Sequence, residues 1–305
     1  MSTFQDKLYE KNQYLALIFL YLTKIKNNLL FFNSVLCLKS RFRKRLNREL
    51  NLTNPEYYND KLQRMKLKTN SLMASLCVDK YECRNFVASV IGEEYLNQLY
   101  GVYDRAEDIR FEDLPESFVL KCTHGSGMNI ICKNKSIINI SKEKNKLWCW
   151  LRLRYHMFNK ENIYKRVKPR VECEKFLSQE DGEELRDYRF FCFNGSVEFI
   201  AVDFNIVNKK ITKRNLYDLQ WNLMDEEISY PKNKKVNLIK PDNLDKMIIL
   251  AEKLAKYFEH VRVDFYNVNS RIIFGEMTFY HQSGCGVFRP LSFEKKLGSL
   301  ISINN

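Results

Sequence analysis

Asp264 and Glu276 sit in two β-branched and aromatic runs, residues 261–266 and 272–279, separated by a short polar turn at 267–271. That pattern predicts a β-hairpin. Arg262, Asp264, Tyr266, Phe274, Glu276 and Thr278 all occupy even positions, and side chains alternate faces along a strand. A register that sets Asp264 against Glu276 also sets Arg262 against Thr278. One face then carries two carboxylates, a guanidinium and a hydroxyl, while Val263, Phe265, Ile273 and Met277 form a core face. Facing carboxylates repel unless positive charge lies between them. A hard cation such as Mg²⁺ meets that need, because it takes oxygen ligands and binds phosphate. For the hairpin alone, a solvated face with Arg262 pairing Asp264 is the simpler reading. The rest of the chain raises the metal reading above it.

A second stretch points to phosphate. Residues 117–133 read SFVLKCTHGSGMNIICK, with strand character at 118–122 and 129–132 around a Thr-His-Gly-Ser-Gly-Met link. Glycines let the backbone approach a ligand, and successive N–H groups in such a loop form an anion nest. Lys121 enters the loop just before it. The stretch is not a Walker A loop, since its Lys precedes the glycines, nor a Rossmann turn, since a strand follows. Most GSG triplets are plain turns, and a loop His such as His124 more often hydrogen-bonds locally than catalyses.

Around these stretches the chain reads as mixed helix and strand. Residues 1–75 are mostly helical, with a break at Asn54-Pro55 and a helix over 58–67. Asp79 is a candidate N-cap for a helix over 80–91 that Gly92 ends. A strand is expected at 96–102, and a helix capped by Ser141 from there to about Tyr155. Residues 169–177 (PRVECEKFL) form a strand, followed by a polar loop at 178–183. Asn194-Gly195 is a strong hairpin signal within 187–202 and sets Phe193 against Ser196, Phe191 against Glu198 and Arg189 against Ile200. Arg189 and Asp187 share a face there, as an internal ion pair would. Residues 205–215 (NIVNKKITKRN) are basic and suit a loop at a site mouth, strand character resumes at 217–221, and a helix starts at Pro241-Asp242. A terminal helix begins at Ser292.

The 305-residue chain is long enough for two domains, and 45% hydrophobic and 13% aromatic content excludes a disordered protein. A formal charge of +13 calls for anionic partners: nucleic acid, an acidic membrane, nucleotide phosphates or acidic sugars. Nine cysteines without a CxxC pair read as buried thiols of a reduced, cytosolic protein. The apolar run at 14–23 is too short to span a bilayer, which takes about 20 residues, and lacks a signal-peptide cleavage pattern. With the basic cluster at 39–48 beside it, this segment suits either an anionic membrane surface or an N-terminal helix packed on the body. The basic tract at 165–170 is not supported by any nucleic-acid-binding motif, and no nucleic-acid partner is expected.

Taken together, Lys80, Lys121 with Gly125-Ser126-Gly127, the quartet Glu174-Lys175-Phe176-Leu177, Arg262-Val-Asp264, Gly-Glu276-Met-Thr278 and a closing Ser/Gly turn resemble the ATP-grasp superfamily. FVLKCTHGSGMNII, DYRFFCFNG, RNLYDLQWNL and VRVDFYNVN with IFGEMTF are similar to its TupA-like family of polysaccharide gene clusters, over about residues 55–300. The resemblance implies an α+β ATP-grasp fold with two subdomains gripping ATP: a helical extension at 1–75 and an ATP-grasp domain at 76–305, flap-bearing over 115–175 and carrying metal and substrate over 176–305. It implies ATP and Mg²⁺ as cofactors, Lys121 and Lys80 on the phosphates, and Gly125–Gly127 as a flap. Residues 174–177 would meet adenine, and an acid of the next loop would meet ribose. Asp264, Glu276 and Thr278 would hold metal, Thr278 standing where the superfamily commonly has Asn. Arg262 would neutralise the transferring phosphoryl group and Arg189 would assist. Lys213, Arg214, Ser283 and Gly284 would meet substrate. The expected activity is amide formation between an acidic sugar, such as a hexuronic acid of a capsular polysaccharide, and an amine or amino acid, in the cytoplasm or at the inner membrane face. The competing readings are a sugar-nucleotide glycosyltransferase and a basic nucleic-acid or membrane adaptor without catalysis.

Overall fold

The computed structural model describes residues 4–26, 33–68, 71–179, 185–205, 211–236 and 238–302. The expected ribose acid, in the loop at 180–184, and the centre of the basic loop, 206–210, lie outside them. In chain order the helices are α1 (Phe4–Lys11), α2 (Gln13–Lys26), α3 (Ser34–Leu46), α4 (Tyr58–Lys68), α5 (Leu72–Val78), α6 (Cys83–Ile91), α7 (Ile140–Leu151), α8 (Tyr155–Asn159), α9 (Leu244–Ala255) and α10 (Leu291–Ser299). The strands are β1 (Leu99–Tyr103), β2 (Phe118–Cys122), β3 (Asn129–Cys132), β4 (Val171–Lys175), β5 (Asp187–Phe193), β6 (Ser196–Phe204), β7 (Lys213–Tyr217), β8 (Glu227–Ile228), β9 (His260–Val268), β10 (Arg271–Thr278) and β11 (Phe288–Arg289). This is an α+β protein. It divides into two compact units: Met1–Cys37 with Asn70–Arg84 and Asn97–Phe176, and Leu38–Thr69 with Asn85–Leu96 and Leu177–Asn305.

The first unit holds a four-stranded antiparallel sheet in the order β1-β4-β2-β3. Its parity separates core from chemistry. Phe118, Leu120, Cys122, Ile130, Val171 and Cys173 are buried in one core with Leu147 and Cys149 of α7. The alternate positions put Val119, Lys121, Glu172 and Glu174 on the other face. Asn139 rather than Ser141 caps α7, its side-chain oxygen accepting from the Lys142 amide at 3.0 Å. The helix stops at Leu151, short of Tyr155, and α8 starts there instead.

The second unit is built on a five-stranded antiparallel sheet, β10-β9-β5-β6-β7, with α9 against β9, β5 and β6. Leu244, Met247, Ala251, Leu254 and Ala255 are buried on α9, as the helical spacing predicts. The β9–β10 register sets Asp264 against Glu276 and Arg262 against Thr278, as expected, but with a bulge at Gly275. A bulge inserts one residue and reverses the parity beyond it. Phe274 therefore faces Phe265, their rings 6.3 Å apart, and Ile273 faces Tyr266, the reverse of the simple alternation. The turn is only two residues long, with Asn269 and Ser270 both at positive φ. A second bulge, between Phe191 and Cys192, shifts the neighbouring hairpin by one: Phe191 faces Phe199 and Arg189 faces Ala201. Strand β7 ends at Tyr217, where a turn replaces the expected strand at 218–221.

Helix α10 packs on α4 at a glycine. A Cβ on Gly298 would lie 2.1 Å from the Glu56 carbonyl oxygen and 2.9 Å from the Tyr57 carbonyl carbon. Alanine is otherwise the better helix former by about 1 kcal/mol, so propensity and packing oppose each other here. Packing wins, because both contacts are backbone. Gly298→Ala is expected to cost about 1–3 kcal/mol, read as a lower thermal midpoint; an unchanged or raised midpoint would contradict this packing.

Candidate active site

In the first unit, the chemical face of the sheet gathers cations around two carboxylates. Glu174 accepts from Lys121 Nζ at 2.6 Å through one oxygen and from Arg84 Nη1 at 2.9 Å through the other. Glu172, one pleat back on the same face, is 2% exposed, and its Oε2 has no hydrogen-bond partner. Burial, reinforced by the Glu174 charge and opposed by Lys121, Lys80 and Arg84, pushes its carboxyl up to about 7.

The glycine loop is anchored at both ends. The Cys122 amide donates to the Met128 carbonyl at 3.0 Å, and the Thr123 amide donates to the Arg170 carbonyl at 2.9 Å. Lys80, in the turn after α5, donates to the Gly125 carbonyl at 2.6 Å. A Cβ on Gly125 would lie 2.5 Å from Met128 Cε and 2.7 Å from the Tyr155 ring, so glycine is required by close approach. Gly127 is required by its φ of +74°. Ser126 and Gly127 form an exposed tip. His124 Nε2 donates to the Trp150 carbonyl at 3.0 Å, and burial holds the ring down to about 4. It is a loop hydrogen-bonder, as the sequence suggested.

Lys175 closes the strand: its amide donates to Gln98 O at 2.9 Å, and its carbonyl accepts from the Asn97 side chain at 2.9 Å. Phe176, next along, lies under the Lys133 ammonium at 5.9 Å, and Leu177 follows it in the second unit.

In the second unit, charge runs across one face of the large sheet. Arg262 forks onto Asp264, with Nε to Oδ1 at 2.7 Å and Nη2 to Oδ2 at 2.5 Å. The same Nη2 lies 3.1 Å from Glu276 Oε1 and 3.0 Å from Thr278 Oγ1. Arg189 Nη2 pairs with Asp187 at 2.8 Å and Asp203 at 3.1 Å, and its Nε lies 3.9 Å from Asp264. Arg214 forks onto Asp203 at 2.5 and 2.7 Å. Burial pushes the Asp264 carboxyl up to about 6 against the pull of Arg262 and Arg189, so it is ionised at neutral pH.

His281 completes this cluster. It is fully enclosed, with Arg262 Nη1 at 2.7 Å from Nδ1 and Arg214 Nη1 at 3.3 Å from Nε2. A guanidinium only donates, so Nδ1 accepts. Burial and then the three arginines hold the ring well below its usual range, hence neutral.

Three oxygens from two strands thus converge on one cationic nitrogen, Arg262 Nη2. Four carboxylates (Asp187, Asp203, Asp264, Glu276) meet three guanidiniums, which leaves an excess of one negative charge. That donor set fits a hard divalent cation, with Arg262 standing in at the point of convergence. Among the described residues no group of three His, Cys, Asp or Glu side chains could hold a metal ion.

The structure brings together Arg262, Asp264, Glu276, Thr278 and Arg189 in one unit, and Lys80, Lys121, Gly125, Ser126, Gly127 and Glu174 in the other. Arg214 is 1% exposed and committed to Asp203, so it holds that acid and presents no surface to a substrate. Lys213 is half-buried at the first position of β7. Ser283 and Gly284 lie in a turn at positive φ that α4 holds from below: Lys66 Nζ donates to the Ser283 carbonyl and hydroxyl, both at 2.6 Å, and Gln63 donates to the Gly284 carbonyl at 2.6 Å. Glu172, Arg84, Asp203 and His281 were missed in the sequence. For Asp203 a signal existed, an acid inside the apolar run FIAVDF.

A family model, TupA-like ATPgrasp, matches residues 60–302. The chain belongs to the TupA-like ATP-grasp family. Among solved structures it is similar to D-alanine–D-alanine ligase from Bacillus anthracis complexed with ATP, at 14% identity over 68% of this chain and 55% of that one, with a TM-score of 0.38. The ATP-grasp ligase PsnB complexed with minimal precursor, Mg and ADP matches at 10% identity over 80% and 65%, TM-score 0.41. D-alanine–D-alanine ligase from Helicobacter pylori matches at 13% over 75% and 60%, TM-score 0.40. The chain spans between half and two thirds of the length of these structures. No curated protein matches it.

Glu172 makes stability depend on pH with a definite sign. Its folded carboxyl titrates near 7 rather than 4.5, so the folded state holds a proton that the unfolded state has lost between those values. The contribution of Glu172 to stability is full below pH 4.5, is lost as pH rises to 7, and does not change further above that. Glu172→Gln should remove that fall and stabilise the protein at pH 8, relative to pH 5, by on the order of 1–3 kcal/mol. Parallel pH profiles of wild type and variant in denaturant melts would contradict it.

Proposed function

We propose that the chain is an ATP-dependent carboxylate–amine ligase. The observation that carries this reading is the convergence of Asp264, Glu276 and Thr278 oxygens on Arg262 Nη2, with Arg189 beside them. Phosphoryl transfer needs positioning and charge neutralisation more than covalent catalysis, and this cluster offers both.

In this reading Asp264 and Glu276, helped by Thr278, would hold Mg²⁺. The ion would supply positive charge to offset that of the nucleotide phosphates. Arg262 would offset the charge on the transferring group. His281, neutral and fixed, keeps an acceptor on Arg262 Nη1 throughout. Lys121 and Lys80 serve the phosphates, and Ser126–Gly127 supply backbone N–H groups at the loop tip. Since the Lys175 backbone is already paired, the adenine edge falls to Phe176 and Leu177.

A substrate carboxylate oxygen attacks the γ-phosphorus and ADP leaves. An amine then attacks the acyl carbon, phosphate leaves, and the nitrogen loses a proton. Water must be excluded meanwhile, or the acyl phosphate hydrolyses. Arg189, Lys213 and the turn at Ser283-Gly284 serve the acid substrate. That substrate is a hexuronic acid of a capsular or surface polysaccharide, and the amine is an amino acid or small amine. The surplus of basic charge suits the acidic glycan. The setting is the cytoplasm, at the inner face of the membrane.

The test is ADP release with hexuronic acids and a panel of amines. Asp264→Asn and Glu276→Gln should each lower turnover by about 100-fold or more; Asp264→Asn, which leaves the buried Arg262 charge uncompensated, should also lower the thermal midpoint, whereas Glu276→Gln, at a side chain 39% exposed, should keep it. Undiminished turnover in both would remove the metal assignment, and UDP release from a sugar nucleotide would replace the ligase by a transferase.

A further inference from the structure

The basic surplus of the chain is concentrated in one segment of the first unit, which frames the glycine loop. Residues 151–170 carry seven Arg and Lys against one acid, Glu161, a surplus of six out of the chain's thirteen. Glu161 is buried, at 4% exposure. The segment is pinned to the loop along its length. A Cβ on Gly125 would come within 2.7 Å of the Tyr155 ring. Thr123 Oγ1 donates to the Lys168 carbonyl at 3.0 Å, and the Thr123 amide donates to the Arg170 carbonyl at 2.9 Å.

Some of these cations are committed within the unit. Arg170 pairs with Glu82 at 2.7 Å, Lys168 pairs with Asp104 at 2.7 Å, and the Arg152 guanidinium stacks on Trp148 at 3.7 Å. Arg154, Lys165 and Arg166 are exposed, and among the described residues no carboxylate pairs with them. The fold brings them together. Tyr155 follows Arg154 and Tyr164 precedes Lys165, and the two rings meet edge-on at 4.9 Å. His156 lies among the cations: burial first, then the charges of Lys165, Arg154 and Lys160, hold its ring below the usual imidazole range.

Charge and surface chemistry together select the occupant. Guanidinium and ammonium groups without a carboxylate call for an anion, and a strip of three calls for an anion that repeats. Of the seven exposed residues in 151–170, five are Arg or Lys and the others are Asn162 and Pro169. No large apolar side chain of this segment is exposed, as insertion into a bilayer would require. No aromatic ring of it is exposed either, as stacking of single-stranded bases would require. A chain of acidic sugars needs neither. We propose that Arg154, Lys165 and Arg166 dock further uronates of the glycan whose reacting carboxylate enters the site, so that the acceptor is an oligomer or polymer and not a free sugar. The proposal rests on the ligase reading above, which supplies the acidic glycan.

The experiment is fluorescence anisotropy of the full chain with a labelled decamer of galacturonic acid, with single-stranded RNA of equal charge and phosphatidylglycerol vesicles as competitors, beside calorimetry with ADP and Mg²⁺. The decamer is expected to bind the wild type, more weakly as salt rises, and to lose about tenfold or more in affinity for Arg154→Ala/Lys165→Ala/Arg166→Ala. That variant should keep the thermal midpoint and the affinity for ADP. Equal decamer affinity in variant and wild type, or no decamer binding by the wild type, would overturn the docking strip. Displacement of the decamer by RNA or by vesicles at lower charge concentration would do the same and assign the strip to that partner. ADP that binds neither protein sinks the ligase reading, and the strip is then judged by the decamer alone; ADP binding with a decamer indifferent to the variant sinks the strip alone.

Discussion

A guanidinium enclosed by three oxygens organises the second unit. Arg262 is 4% exposed and Asp264 likewise, and neither charge is tolerable at that depth without the other. Their fork fixes β9 against β10 through Glu276 and Thr278, and fixes the turn after β10 through His281. Arg189 and Arg214 extend the pattern across β5, β6 and β7 by the same means, each pinned to Asp203. Taking any one charge away leaves a buried partner uncompensated. The face is therefore ordered in advance, and among its charged groups Glu276, with its side chain 39% exposed, is the most open to solvent.

The first unit works with the opposite surplus. Lys121, Arg84 and Lys80 surround Glu172 and Glu174, so cations outnumber carboxylates three to two. That balance suits an anion, as the excess carboxylate of the second unit suits a cation. Lys80 ties the glycine loop to the turn after α5, so the loop's exposed tip is carried on a fixed base.

Much of this was legible in sequence because it followed from parity and turn chemistry. Strict alternation placed Asp264, Glu276, Arg262 and Thr278 on one face, and Asn194-Gly195 located its hairpin. Where the reading failed, a bulge intervened. Gly275 swapped Phe274 and Ile273 between faces, and the irregularity at Phe191/Cys192 moved Arg189 from Ile200 to Ala201. Bulges leave little trace in a pattern of residue types. Long-range partners were equally silent: nothing near Arg214 marks it as the clamp on Asp203, and a lone His281 in a Ser/Gly turn looks like loop until two arginines are found against its ring. Arg214, a substrate contact by the family resemblance, is for that reason an internal charge.

The central claim is that the point now held by Arg262 Nη2 is a cation's place when nucleotide is present. The most direct measurement is calorimetric titration of ADP into the protein with Mg²⁺ and again with a chelator. The account predicts that chelation weakens ADP binding by about tenfold or more in the wild type and leaves Asp264→Asn/Glu276→Gln unaffected. Equal affinity of the wild type with and without Mg²⁺ would contradict it.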